Sequence, residues 1–136
     1  MDTNQTTKPV FVRILTGSLT AGAVAAVLNN AYCLIHSDIG LSNTINYKTV
    51  TFGSLVPALV AGICYYILSR FTANATRIFI VTVLILTALS ITKTMVSVLP
   101  DGTEVPEGFT GLTLPMHLAA GLSIAFIIPR FVRNKD

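Results

Sequence analysis

Four long apolar stretches, at about residues 11–35, 50–68, 78–99 and 113–132, dominate the chain and are separated by short polar segments. A bilayer core of about 30 Å is crossed by roughly 20 helical residues rising about 1.5 Å each, so every stretch predicts a transmembrane helix. In the first, the only full charge is Arg13 at its very start. Helical spacing divides this stretch into two unlike faces. Ser18, Gly22, Ala25, Ala26, Asn29 and Cys33 form a small, polar stripe that His36 continues at the membrane exit, while Val24, Val27, Leu28, Ala31 and Leu34 suit lipid. Helices in a bilayer gain little by hiding apolar surface from one another, and associate through close backbone approach and interhelical hydrogen bonds. The stripe is therefore the expected contact with the other spans.

The second stretch repeats the device. Ser54, Ala58 and Gly62 lie four apart, and its interior Pro57 is tolerable in a membrane helix where neighbours satisfy the freed carbonyl. Tyr65 and Tyr66, near its far end, are placed as interfacial rings. The turn RFTANATR is so short that the second and third helices must be antiparallel neighbours. The third stretch carries hydroxyls at Thr87, Ser90, Thr94 and Ser97, with Lys93 at the edge of that line. In the fourth, Thr113 is an expected N-cap, Pro115 falls in the first turn, and Pro129 predicts a kink or an early stop.

The fold class that follows is an all-α membrane protein, an antiparallel four-transmembrane-helix bundle forming a single domain over residues 1–136. Composition agrees: 52% of the residues are hydrophobic and only 11% charged, far from an ordinary soluble domain. The polar segment ahead of the first span is not read as a cleaved signal, whose apolar region is about 7–15 residues. The net charge of +3 does not indicate nucleic acid, because the charges sort by end. Lys8, Arg13, Arg70, Arg77, Arg130, Arg133 and Lys135 fall at one end; Lys48 and Lys93 fall at the other with Asp38, Asp101, Glu104 and Glu107. The positive-inside rule then makes both termini cytoplasmic, N-in and C-in. Cys33 and Cys64 differ too much in depth for a disulfide and read as small core residues.

Polar residues within spans are costly unless paired or wetted, which makes them the candidates for function. Asn29, Asn30, His36, Ser54, Lys93 and His117 all map to the outer half of the bilayer, whichever span they belong to, and predict a polar cup that opens outward above an apolar base. Asn29, Asn30, Ser54, Lys93 and His117 are the candidate ligand-binding residues. Lys93 has two readings: a snorkelling anchor at the interface, or a cationic floor for an anionic head group, with Glu104 or Glu107 as acidic partners. His117 is either a hydrogen-bonded packing residue or a titrating group at the mouth. His36 and His117 would hold a metal or haem only if the first and fourth helices adjoin and the rings come level. No catalytic set, phosphate-binding glycine loop or zinc signature is present, so neither enzymatic activity nor a catalytic or metal site or cofactor is expected.

The fourth stretch, LPMHLAAGLSIAFIIPRFVR, resembles the last helix of an uncharacterised family of small bacterial inner-membrane proteins with four spans, through Met116, His117, Leu118, Gly121, Pro129 and Arg130. The resemblance implies a bacterial inner-membrane protein of that topology and brings no activity with it. Three functional classes follow. The first is a non-enzymatic binder of a small ligand or lipid head group, or an accessory subunit, using the outward cup. The second is an oligomeric transporter or channel, and the third a small haem or metal protein. The expected partners are the lipid bilayer and either further copies or a larger membrane complex, not nucleic acid.

Overall fold

The computed structural model describes residues 9–36, 45–95, 104–105 and 107–132. Its four long helices are α1 (Val10–Ile35), α2 (Tyr47–Phe71), α3 (Ala75–Thr92) and α4 (Phe109–Arg130), with a 3-10 turn, Lys93–Met95, extending α3. All four are long and apolar enough to cross a membrane.

The contacts between helices make the pairs α1–α2, α1–α4, α2–α3 and α3–α4 antiparallel, while α2 and α4, which also touch, run parallel. α1 packs most extensively on α2 and α4, α3 packs on α4, and the α2–α3 seam is thin. The stripe on α1 is the reason for the first seam: Ser18, Gly22, Ala25, Ala26, Asn29 and Cys33 are all buried, and Val24, Val27, Leu28, Ala31 and Leu34 are all exposed, as their spacing predicts. A side chain at Gly22 would press on Leu55 and Ala58, and one at Gly62 would fall on Ser18. Small residues from α1 and α2 thus interleave, and backbone meets backbone. α4 meets α3 in the same way, with Gly121 set against Thr87.

The core is uneven along the bundle axis. One cluster, including Ile14, Tyr65, Phe79, Val83, Ile124 and Ile128, fills the end that carries Arg13, Arg70, Arg77 and Arg130, whereas Cys33, Val50 and Leu112 form a much smaller one at the other end. Tyr65 belongs to the first. It is buried, its hydroxyl lies 2.8 Å from Thr76 Oγ1, and only the half-buried Tyr66 fits the expected interfacial role. Arg13 closes this end from α1, donating from Nε to the Phe131 carbonyl at 2.9 Å and from Nη2 to that of Val132 at 3.0 Å. These carbonyls follow the last turn of α4, where a cation is favoured by both hydrogen bonding and the helix dipole.

Several local expectations change. α2 starts at Tyr47, three residues before the apolar run, because Asn46 caps it: its side chain accepts from Lys48 and Thr49, and Thr49 Oγ1 accepts from the Asn46 N–H. α4 starts at Phe109 behind Gly108, whose φ of 86° is the left-handed conformation glycine adopts without strain. Thr113 is therefore inside the helix rather than its cap, donating to the Phe109 carbonyl at 2.8 Å. Pro115 is likewise interior, and the Gly111 carbonyl that it leaves without an N–H accepts from Tyr32 Oη of α1 at 3.2 Å. Cys64 is exposed on the lipid-facing surface, not in the core. Ser97 lies outside the described residues.

Candidate functional site

At the end opposite Arg13 the helices leave a cavity of about 250 Å³, lined among others by Asn29, Ser54, Phe109, Thr113, Met116 and His117. It lies between the last turns of α1 and the first turns of α2 and α4. Asn29, Ser54 and His117, three of the five candidates from the sequence, meet here. The other two do not line it. Asn30 is turned into the α1–α2 seam, where Nδ2 donates to the Ala26 carbonyl at 2.8 Å and to Thr51 Oγ1 at 3.0 Å. Lys93 is exposed on the 3-10 turn because α3 ends at Thr92, short of the expected residue 99. The turn itself is held beside α4 by Thr110, which donates to the Thr94 carbonyl at 2.9 Å. His36 stacks on Tyr32 with ring centroids 4.2 Å apart, outside the cavity lining.

The hydrogen bonds fix which donors and acceptors of the lining residues are already committed. Ser54 Oγ donates to the Val50 carbonyl at 2.9 Å, so toward Asn29 it can only accept. That orients the amide: Asn29 Nδ2 donates to Ser54 Oγ at 3.2 Å, and Oδ1 is left as an acceptor without a donor among the described residues. His117 Nδ1 lies 2.8 Å from the Thr113 carbonyl, which can only accept, so Nδ1 carries a proton, and in the neutral tautomer that satisfies this bond the lone pair is on Nε2. The Thr113 hydroxyl proton is committed to Phe109 O.

A second cavity, of about 270 Å³, opens along the thin α2–α3 seam over α4 and includes Pro57, Ala61, Val83, Leu86, Thr87 and Ile124. Gly53, His117 and Ala120 line both cavities, so the cup and the groove adjoin along a shared wall. Gly53 has no side chain and presents its backbone, with open space where a Cβ would project. Pro57 has no N–H, so the Gly53 carbonyl lacks its helical partner.

Thr49, Gly53, Phe109, Thr113 and Met116 were not among the candidates from the sequence. Thr49 and Gly53 had readable signals, in the Asn46–Thr49 capping pattern and the offset of four from Pro57. The donor set offers no cluster of His, Cys, Asp and Glu suited to a metal ion among the described residues.

Four apolar, lipid-length helices around an end-on cavity define a multi-pass membrane bundle. A family model matches residues 5–134, and the chain belongs to that family, DUF6069, a family of unknown function. The match spans nearly the whole chain rather than the last helix alone. No curated protein and no solved structure matches it.

Proposed function

We propose that this protein is a non-enzymatic, ligand-binding protein of the bacterial inner membrane, with both termini cytoplasmic and the cup facing outward. The observation that carries the reading is the convergence of Asn29, Ser54 and His117, drawn from three helices, on one cavity. Support for the orientation comes from the gathering of Arg13, Arg70, Arg77 and Arg130 at the far end. The large apolar core at that end argues for a blind cup over a continuous pore. Cavities that bind small molecules measure about 300–1,000 Å³. Each cavity here falls just short of that range and the two joined fall inside it, which favours a ligand filling both.

Native mass spectrometry of the full chain in mild detergent tests the proposal. A monomer or dimer retaining a stoichiometric small molecule or lipid supports it. A bare higher oligomer refutes it in favour of a channel.

A further inference from the structure

Resting on the ligand-binding reading, we infer that the site takes a neutral amphiphile with a hydroxyl head group, whose hydrocarbon body lies in the groove between α2 and α3. The head group follows from a count of protons. Ser54 and Thr113 donate to the carbonyls of Val50 and Phe109, and His117 Nδ1–H is held by the Thr113 carbonyl. What the described residues leave for a ligand is mainly acceptors: Asn29 Oδ1, Nε2 of His117 in its neutral Nδ1–H tautomer, and the Gly53 carbonyl released by Pro57. Against them stands the second N–H of Asn29, since its first is committed to Ser54.

A ketone, ester or phosphate brings only acceptors and leaves most of these atoms unmatched. An ammonium brings donors but also a charge, and among the described residues no carboxylate lines either cavity to pair with it. A charge removed from water without a partner is far costlier than a hydroxyl that finds its hydrogen bond. One hydroxyl fits the remaining inventory, donating to an acceptor of the cup and accepting from Asn29. The Gly53 carbonyl adds an independent argument, because a backbone acceptor at membrane depth without a donor costs free energy until something supplies one.

The body of the ligand follows from the adjacency of the two cavities, which share Gly53, His117 and Ala120. From Gly53 to Ala61 the groove follows α2 for roughly 12 Å at about 1.5 Å per residue. It is walled by Ala61, Val83, Leu86 and Ile124, while the hydroxyl of Thr87 is turned back on the Val83 carbonyl at 2.8 Å. Ser90, near the mouth, keeps a hydroxyl without a hydrogen bond among the described residues, and is the one further donor beside the path.

The experiment uses the full chain in mild detergent with four probes of equal chain length: dodecanol, its methyl ether, dodecylamine and dodecyl phosphate. Affinities are read by native mass spectrometry and by thermal shift. Dodecanol is expected to bind one to one, about tenfold more tightly than the ether, the worth of one hydrogen bond to a buried acceptor. His117→Phe, which keeps an aromatic ring but removes the Nε2 lone pair, is expected to reduce that preference by a similar factor. Asn29→Asp, a second variant should the first unfold, is expected to shift preference from the alcohol to the amine. Equal binding of alcohol and ether, or tightest binding of the amine or phosphate by the native protein, overturns the hydroxyl assignment. Failure of all four probes while a co-purified molecule stays bound also overturns it and leaves the ligand-binding reading standing. Failure of all four with nothing retained overturns both.

Discussion

One of the tightest contacts in the bundle is between Gly62 of α2 and Ser18 of α1, and it sets a sharp test of how the two helices are held. A Cβ on Gly62 would fall on Ser18 Oγ and 2.9 Å from Ser18 Cβ, while the next nearest atom, Ile14 Cγ2, is at an ordinary 3.6 Å. Ser18 cannot move aside freely, because it is buried and its hydroxyl is bonded to the Ile14 carbonyl at 2.9 Å. Gly62→Ala therefore forces α1 and α2 apart, and overpacking of this kind costs about 1–3 kcal/mol. Ser18→Gly removes both clashing atoms, so the double variant places one methyl where another side chain was. Its stability should return to near that of the native protein, since the glycine introduced into α1 is balanced by the alanine introduced into α2, each worth about 1 kcal/mol. The coupling energy of the cycle should be about 1–3 kcal/mol. Reversible unfolding by SDS titration in mixed micelles measures all four proteins. A Gly62→Ala cost below about 0.5 kcal/mol, or no recovery in the double variant, would falsify the close approach.

Other perturbations test separate contacts. A cycle of Asn29→Ala and Ser54→Ala should give a coupling of about 0.6–1.7 kcal/mol, the range of interhelical hydrogen bonds in membranes, and a value near zero would show that the amide is oriented otherwise. Arg13→Met leaves the carbonyls of Phe131 and Val132 uncapped. It should cost about 1.5–3 kcal/mol and speed hydrogen exchange in the last turn of α4; unchanged exchange there would refute the clamp. A membrane-soluble maleimide should label Cys64 and leave Cys33 untouched, and equal labelling would contradict their different exposure. Lys93→Met should leave ligand retention unchanged, because Lys93 lies outside both cavity linings; loss of retention would restore it to the site.

The fold was legible because bilayer physics writes it in runs and stripes. Length and hydropathy gave the four spans, and the alternation of Ser18, Gly22, Ala25 and Asn29 with Val24, Val27 and Leu28 gave the buried face of α1. Helix ends were harder, since Asn46 and Gly108 act through capping and backbone conformation rather than through hydropathy. The end of α3 was hidden for the same reason: apolar residues continue beyond Thr92, the change to a 3-10 turn leaves no mark in composition, and residues 96–99 of the expected span lie outside the described residues. Of the cup, Asn29, Ser54 and His117 were readable as intramembrane polar residues. Which atoms they turn toward the cavity was not, because that depends on where each proton goes, and those partners are carbonyls that every sequence possesses.

The clamp of Arg13 on the end of α4 sets the two ends of the described bundle side by side, while the turn between α2 and α3 reaches the same face of the membrane across their thin seam. Joining residue 132 to residue 9 by a short linker and opening the chain at that turn would yield the order α3, α4, α1, α2 with every helix crossing in its original direction. Both new ends would remain where the old ones were, so no segment would have to be translocated that was not translocated before. The molecule is thus built as two hairpins, α1–α2 and α3–α4, latched by α1 against α4. Separate synthesis of the two halves should suffice to assemble it, with the cup completed only when they meet.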